Sequence, residues 1–197
     1  MGGIDIVAAA ITLLVLSPLL VVVAAVVAAT SGGPVIFRQE RVGQDGVSFE
    51  MLKFRTMVEG THMEVLGDAR LRRCYETNDF KLPADDPRIT RFGRLLRRSS
   101  LDELPQLVNV LRGEMSLVGV RPLLRDELGL RPARDQALYE IHLPGLTGLW
   151  QVKGRSRISV GRRVELDRRY LESWSVRSNV RILLRTPGAV LLGPGAH

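Results

Sequence analysis

The feature that most constrains this chain is an apolar run close to its N-terminus. Residues 6–29, IVAAAITLLVLSPLLVVVAAVVAA, contain no charged side chain. At about 1.5 Å of rise per residue, about 24 helical residues cover the hydrocarbon core of a bilayer. A signal peptide fits poorly, because the preceding residues include Asp5 and no Lys or Arg. The run therefore predicts a helix that enters a membrane.

Ser17 and Pro18 stand in the middle of this run. Proline removes a backbone hydrogen bond and bends a helix, which would leave two halves of about 12 residues, or about 18 Å, each. Such halves suit a re-entrant helix that enters one leaflet and returns, but spanning helices also tolerate proline, so both forms stay open. Basic residues after the run predict that this flank is cytoplasmic. They are Arg38, Arg41, Lys53 and Arg55.

The charge balance limits the classes of partner. With 28 Lys and Arg against 21 Asp and Glu, the 197-residue chain carries a formal net charge of +7. This favours nucleic acid, an anionic membrane surface or a phosphorylated substrate. An aromatic content of 5% argues against base stacking on single strands. One cysteine, Cys74, excludes an internal disulfide and a thiolate metal cage, and the three histidines lack metal-ligand spacing.

Strand patterns begin after the apolar run. The segments PVIFRQERV (34–42) and VSFEMLKFRTM (47–57) flank Gly43-Gln-Asp-Gly46. Two such runs around a Gly-rich turn predict a β-hairpin. Residues 58–87 predict a connecting segment or a lid, in which 62–76 can form a helix. The chain has no internal repeat, and its length suits one domain with a substantial core.

Two later segments predict amphipathic helices rich in arginine. In residues 86–100 one helical face carries Arg88, Arg91, Arg94 and Arg98, and another carries Ile89, Phe92, Leu95 and Leu96. Residues 160–184 again combine apolar side chains with an excess of arginine and end near Pro187. Such helices fit an anionic membrane surface, with arginine side chains that reach the headgroups. A soluble helix with a solvated or core-packed face is the alternative.

Residues 97–122, RRSSLDELPQLVNVLRGEMSLVGVRP, place Asp102 and Glu103 side by side among arginines. Ser100 could cap a helix in a capping box with Glu103. We favour Asp102 as the cap, because Pro105 then falls in the first turn, where its missing N–H costs nothing. In both arrangements the positive helix end favours ionised carboxylates. An ionised Asp can attack phosphorus, and a neighbouring carboxylate can hold Mg²⁺, although most acidic pairs in a first turn only cap it.

The segment 100–123, SLDELPQLVNVLRGEMSLVGVRPL, closely resembles the signature of bacterial polyprenyl-phosphate glycosyl-1-phosphate transferases, the monotopic phosphoglycosyl transferases among the bacterial sugar transferases. Enzymes of this family move a phosphosugar from a nucleotide sugar, usually a UDP-sugar, to a polyprenyl phosphate. The resemblance implies that Asp102 is the covalent nucleophile. It also implies that Glu103, together with Asp102, binds Mg²⁺.

The resemblance covers residues 4–187 and implies a phosphate-binding set. In the KFRTM element, Arg55 stands where the family keeps a basic residue near the nucleotide phosphates, and we expect Lys53 to bind phosphate as well. A solvated strand face is the alternative for both residues. We expect Arg97 and Arg121 to bind phosphate oxygens through bidentate contacts. The family's Ser-Pro break corresponds to Ser17 and Pro18, which implies a re-entrant helix beside the polyprenyl phosphate, with both ends in the cytoplasm.

Three departures from the family pattern bear on these expectations. Val120 stands where the usual Gly-Pro-Arg-Pro has its first proline, so the turn is less preorganised. In residues 142–156, HLPGLTGLWQVKGRS, Lys153 replaces the asparagine of Gln-Val-Asn-Gly-Arg. Before Ile4 the chain has Met-Gly-Gly, where the family usually has Lys or Arg.

The sequence thus predicts an α+β, mostly helical protein. Residues 1–31 form a re-entrant helix-break-helix, and residues 32–197 form one cytoplasmic catalytic domain with a small β-hairpin and amphipathic interfacial helices. At the cytoplasmic face of the bacterial inner membrane it would transfer a sugar-1-phosphate from a UDP-sugar to polyprenyl phosphate, releasing UMP, as the first membrane step of glycan or exopolysaccharide assembly. Mg²⁺ is the expected cofactor, and an aspartyl-phosphosugar is the expected intermediate.

Membrane lipids are expected partners and nucleic acid is not. The alternative function is a membrane-tethered basic module that binds nucleic acid or anionic lipid without catalysis. Such a module gives no reason for a carboxylate pair amid arginines, and the chain lacks a groove-reading motif. The sequence ties no residue to a particular sugar and does not indicate an oligomeric state.

Overall fold

The computed structural model describes residues 2–77, 82–83, 85–154 and 158–192. As predicted, these residues are mostly helical and include a small antiparallel sheet. Parts of two predicted segments lie outside the described residues: positions 78–81 and 84 of the connecting segment, and positions 155 and 156 of the QVKGRS element.

Helix α1 (Gly2–Ser31) contains the whole apolar run, and Pro18 lies inside it. The predicted interruption into two helices is therefore absent from residues 2–31. The reason is local: Pro18 cannot donate to the carbonyl of Leu14, but the Ser17 hydroxyl donates to that carbonyl at 2.8 Å. The helix can continue because this substitute bond satisfies the orphaned acceptor. The re-entrant path stays a prediction.

One face of α1 packs against the rest of the chain along its length. Its buried residues are Asp5, Ala9, Val23, Val27 and Ser31, which recur at helical spacing. Ala9 packs with residues such as Leu107, and Val23 and Val27 pack with Phe54 and Leu96. The opposite apolar faces are exposed and include Leu14, Val15, Val21 and Val22. A helix with so much exposed apolar surface is suited to lipid.

The predicted hairpin is confirmed. Strands β1 (Ile36–Val42) and β2 (Ser48–Phe54) are antiparallel, with Phe37 opposite Lys53. The turn Gln44–Gly46 is a 3₁₀ segment in which Asp45 and Gly46 have positive φ. This explains a Gly-rich turn, since positive φ costs glycine least.

After the hairpin, the single helix considered for residues 62–76 is two helices, α2 (Thr61–Gly67) and α3 (Ala69–Thr77). Asp68 separates them with an extended backbone. Its carboxylate accepts hydrogen bonds from the backbone N–H groups of Arg70 and Leu71 at 2.8 and 3.0 Å. Asp68 therefore starts a new helix, which is the usual role of aspartate at a helix N-terminus.

The central motif also differs from prediction. Helix α4 (Arg91–Ser99) ends at Ser100, which has φ of 55°, and a 3₁₀ turn (Leu101–Glu103) precedes α5 (Gln106–Leu111). Neither predicted cap forms: the Ser100 side chain does not cap the turn, and Asp102 lies inside it. A positive φ at Ser100 redirects the chain, so the carboxylates occupy a short connector between two helices instead of the first turn of one.

The remaining elements enclose the largest core cluster, which includes Val42, Leu123, Tyr139 and Tyr170. In order they are β3 (Ser116–Val118), α6 (Arg125–Gly129), α7 (Ala133–Glu140), β4 (Gly145–Thr147), α8 (Leu149–Lys153), α9 (Val160–Glu172) and α10 (Val176–Leu192). Strands β3 and β4 pair in parallel. Helix α10 continues through Pro187, beyond the predicted end. Its exposed face combines Val180 and Leu184 with arginines, as an interfacial helix requires.

Candidate active site

A cavity of about 440 Å³ is lined by the hairpin, the segment after β2, and the 3₁₀ turn. It brings together all six side chains predicted for catalysis and phosphate binding. They are Lys53, Arg55, Arg97, Arg121, Asp102 and Glu103. Ser17 and Pro18 do not line it, and their relation to a polyprenyl phosphate stays a prediction.

Close packing of α4 against the end of β2 positions Arg97. A side chain at Gly93 would place its Cβ 2.0 Å from the Thr56 carbonyl oxygen, so only glycine permits this approach. Thr90 caps α4 by accepting from the Gly93 N–H at 2.8 Å, and its own N–H donates to the Thr56 carbonyl. One turn later, Arg97 Nε donates to Thr56 Oγ1 at 3.0 Å. The Arg97 guanidinium is thereby held at the cavity.

Asn109 fastens the other side of the carboxylate pair. Its side chain is fully buried on α5 and pairs with the edge of β2: Oδ1 accepts from the Leu52 N–H at 3.0 Å, and Nδ2 donates to the Glu50 carbonyl at 2.8 Å. Nδ2 also donates to Glu114 at 2.6 Å. Because Lys53 follows Leu52, this pairing sets the position of Lys53 relative to the turn that precedes α5.

Asp102 is buried, with 8% of its surface exposed. Burial, and then the negative charge of Glu103, raise the pKa of Asp102 to about 6, against the opposing effects of Lys53 and Arg97. The ionised form is therefore less favoured than the sequence predicted. At neutral pH the carboxylate is still mostly ionised, which a nucleophile requires.

Lys53 is the direct partner of Glu103. Its Nζ lies 2.9 Å from Glu103 Oε1, and only 16% of its side chain is exposed. Burial lowers the pKa of Lys53, while the Glu103 charge opposes that change. The pair therefore places a buried ammonium beside both carboxylates.

The two remaining predicted arginines differ in how they are held. Arg55 donates Nε to the Pro34 carbonyl at 2.7 Å, and its guanidinium carbon lies 6.0 Å from the centroid of the Phe37 ring. Arg121 has no hydrogen-bond or ion-pair partner within the part of the chain that the structure describes. Its charge is available to an anion in the cavity.

The donor set fits Mg²⁺. Within the described ranges no cluster of three or more His, Cys, Asp or Glu side chains forms, so a cation here would use Asp102 and Glu103. Mg²⁺ commonly takes one or two carboxylates and completes its shell with phosphate oxygens and water. The repulsion between these two carboxylates, visible in the raised pKa of Asp102, is of the kind that a bound cation relieves.

Several lining residues were missed as site residues in the sequence. Gln39 and Arg41 lie on β1, and residues 56–61 and Tyr75 line the cavity after the hairpin. Strand alternation could have identified Gln39 and Arg41. Phe37 lies opposite Lys53, and every second residue of β1 lies on the same face of the sheet as Lys53. The contribution of residues 56–61 had no comparable signal.

Comparisons with known proteins bear on the family to which this chain belongs. Residues 2–193 match the sequence model of the family described as bacterial sugar transferase. The UDP-galactose-lipid carrier transferase of Erwinia amylovora is 46% identical over 98% of this chain and 40% of its own length. The undecaprenyl-phosphate galactose phosphotransferase of Salmonella typhimurium is 43% identical over 98% of this chain and 40% of its own length.

The exopolysaccharide production protein ExoY of Rhizobium meliloti is 41% identical over 98% of this chain and 86% of its own length. The chain thus spans most of this relative and about two fifths of the other two. Because the family match covers nearly the whole sequence, the chain belongs to the bacterial sugar transferase family.

Proposed function

We propose that this protein transfers a sugar-1-phosphate from a UDP-sugar to a polyprenyl phosphate in the membrane and releases UMP. The observation that carries the proposal is one cavity in which buried Asp102 and partly buried Glu103 meet Lys53, Arg97 and Arg121. The relatives' names add support, since they include UDP-galactose, undecaprenyl phosphate and exopolysaccharide production. The reaction would be the first membrane step of glycan or exopolysaccharide assembly.

The transfer takes two displacements at one phosphorus. The Asp102 carboxylate attacks the β-phosphorus of the UDP-sugar, and the bond from that phosphorus to the bridging oxygen breaks. UMP leaves with the bridging oxygen, and the sugar phosphate remains on Asp102. An oxygen of polyprenyl phosphate then attacks the same phosphorus, which forms the polyprenyl diphosphate sugar and regenerates the Asp102 carboxylate.

The cationic side chains act by position and charge. Phosphoryl transfer depends mainly on alignment and on stabilising charge at the phosphate oxygens. Arg97 is held by Thr56, and Arg121 has its guanidinium available, so both can bind diphosphate oxygens through two N–H groups. Lys53 stabilises the ionised form of Asp102 and adds a third positive charge.

Asp102 and Glu103 would hold Mg²⁺, which when bound supplies positive charge that neutralises phosphate oxygens. Glu103→Gln keeps the shape of the side chain and removes its charge. We expect a higher Mg²⁺ requirement and slower turnover for this variant. An unchanged Mg²⁺ dependence would remove Glu103 from the metal site.

The proposed membrane arrangement is re-entrant, with both ends of α1 on the cytoplasmic face of the inner membrane. A 30-residue helix is about 45 Å long, yet both of its ends contact the same folded chain. At one end the Ser116 hydroxyl donates to Asp5 at 2.6 Å, and at the other the Glu59 N–H donates to the Ser31 carbonyl at 3.2 Å. A helix that spanned the bilayer would separate these contacts. The exposed apolar residues and arginines of α4 and α10 would then lie at the lipid headgroups.

Turnover and the covalent adduct test the proposal together. Purified protein in detergent should release UMP from at least one member of a UDP-sugar panel when undecaprenyl phosphate and Mg²⁺ are present. Asp102→Asn should abolish both UMP release and the phosphosugar adduct seen by mass spectrometry. If the Asn variant retained more than a few per cent of activity with deamidation excluded, the covalent mechanism would be wrong. A binding module without catalysis would release no UMP from any sugar.

A further inference from the structure

Arg41 is a buried cation in the lining of the cavity, and the reaction as proposed gives it no role. Its side chain on β1 is 3% exposed. NH1 donates to the Pro122 carbonyl at 3.1 Å and lies 3.5 Å from Glu127 Oε2, and NH2 donates to Gln39 Oε1 at 2.7 Å. The guanidinium thus joins the hairpin to the segment that follows β3.

The Pro122 carbonyl belongs to the residue after Arg121. On the other side of Arg121, the Val120 carbonyl accepts from the Gly145 N–H at 2.7 Å. Beyond Pro122, the Leu123 carbonyl accepts from the Val42 N–H at 3.0 Å. The backbone is therefore fixed on both sides of Arg121, and Arg41 supplies the bond at the residue between Arg121 and Leu123.

Electrostatics separates this role from ordinary core packing. Burial and the charge of Arg121 lower the pKa of Arg41 to about 10, against the opposing charge of Glu127, so the guanidinium remains charged at neutral pH. Arg121 likewise contributes to lowering the pKa of Lys53. Like charges held this close destabilise the protein when the cavity contains no anion, and a diphosphate there would relieve the repulsion.

We propose that Arg41 is a positioning residue that acts through Arg121: by holding the Pro122 carbonyl it aims the Arg121 guanidinium into the cavity for the nucleotide diphosphate. The inference rests on the proposed function, since it assigns the anion as the diphosphate of a UDP-sugar. A lysine at position 41 cannot reproduce the contacts, because one ammonium lacks the planar fork that reaches both Pro122 and Gln39.

A double-mutant cycle with UDP as the probe tests the coupling. Binding of UDP to the full chain in detergent is measured by calorimetry for wild type, Arg41→Lys, Arg121→Gln and the double variant. We expect Arg41→Lys to weaken UDP binding about tenfold in the wild-type background and less than about twofold when Arg121 is already Gln. Equal losses in both backgrounds would overturn the proposal, because they would mean that Arg41 acts on UDP directly or on the whole fold.

Two further variants keep the test decisive. Glu127→Gln removes the counter-charge of Arg41 at a residue that does not line the cavity, and it should weaken UDP binding about twofold to threefold only when Arg121 is present. If Arg41→Lys does not fold, Glu127→Gln alone decides. Unchanged UDP binding by the Glu127→Gln variant would then overturn the proposal. Arg38 lies on β1, as Arg41 does, and forms an exposed ion pair with Glu50 of β2. Arg38→Lys changes this pair and serves as the control. A wild-type protein that fails to bind UDP would refute the proposed function itself, whereas additive losses refute only the role of Arg41.

Discussion

The ammonium nitrogen of Lys53 lies 2.9 Å from Glu103 Oε1, and this contact joins β2 to the 3₁₀ turn that carries Asp102. The lysine charge also opposes the rise in the pKa of Asp102 that burial and Glu103 cause. One side chain therefore affects both the geometry of the carboxylate pair and the proton affinity of the expected nucleophile.

Lys53→Gln should move the pH dependence of the reaction. Without a bound cation the pKa of Asp102 is about 6, and attack requires the ionised form, so kcat/KM measured at limiting Mg²⁺ should fall as pH drops through about 6. Loss of the lysine charge should move this acidic limb of the pH–rate profile to higher pH, and it should also lower the rate. Arg38→Gln, which breaks an exposed pair on the same hairpin, should leave the limb in place. A limb that did not move would show that Lys53 does not influence Asp102.

Asp102→Asn should stabilise the fold while it removes activity. The folded-state pKa of about 6 lies above the ordinary value of 3.8, so ionised Asp102 destabilises the native state. This destabilisation is absent below pH of about 3.8 and complete above about 6. With a chelator present, the Asn variant should therefore unfold at a higher temperature than wild type at pH 7.5. The difference should shrink toward pH 4, and a lower unfolding temperature at pH 7.5 would contradict the assignment.

Arg121→Lys keeps the positive charge and removes the planar fork. If Arg121 binds phosphate oxygens through two N–H groups, kcat/KM for the UDP-sugar should fall at least about tenfold. Steady-state kinetics on the best UDP-sugar provide the measurement. A nearly normal rate would mean that Arg121 only supports the turn that contains Val120.

Asn109→Leu should destabilise the domain by about 2–4 kcal/mol, because it leaves the Leu52 N–H and the Glu50 carbonyl without their side-chain partner. Denaturant unfolding in detergent measures the loss. Asn109→Asp keeps an acceptor for Leu52 but turns a donor to Glu114 into a repelling oxygen, so it should also be unstable. Wild-type stability in both variants would show that this amide does not hold α5 to β2.

The topology of α1 can be read from two cysteine tags. In a Cys74→Ser background, Gly3→Cys and Pro34→Cys should both be protected from an impermeant maleimide in intact cells and both react after permeabilisation. Labelling on opposite sides of the membrane would end the re-entrant proposal but leave the chemistry of Asp102 open. A leucine at position 5 cannot accept the hydrogen bond from the Ser116 hydroxyl. Adding Asp5→Leu should therefore allow the impermeant maleimide to label the N-terminal tag in intact cells in a measurable fraction of molecules.

Local patterns were sufficient for the hairpin and for six of the side chains that line the cavity. Alternation and a Gly-rich turn predicted β1 and β2, and the motif resemblance together with the positions of basic residues selected six side chains that the fold brings to one cavity. Those local patterns could not predict interactions between residues that are distant in the sequence. The positive φ at Ser100 depends on how α4 docks on β2, and the pKa of Asp102 depends on burial by the whole domain. Pro18 was expected to break α1, but the Ser17 hydroxyl satisfies the carbonyl that proline leaves free.

The hydrogen bond between Asp5 and Ser116 joins residues that are 111 positions apart. During synthesis α1 leaves the ribosome first, and its partners on α5 and β3 follow only after roughly 5 to 20 seconds of further elongation. During this interval these partners cannot cover the helix, and its exposed apolar surface is of the kind that lipid covers. We therefore expect insertion of α1 to precede folding of the rest of the chain, which would assemble on a helix that the bilayer already holds.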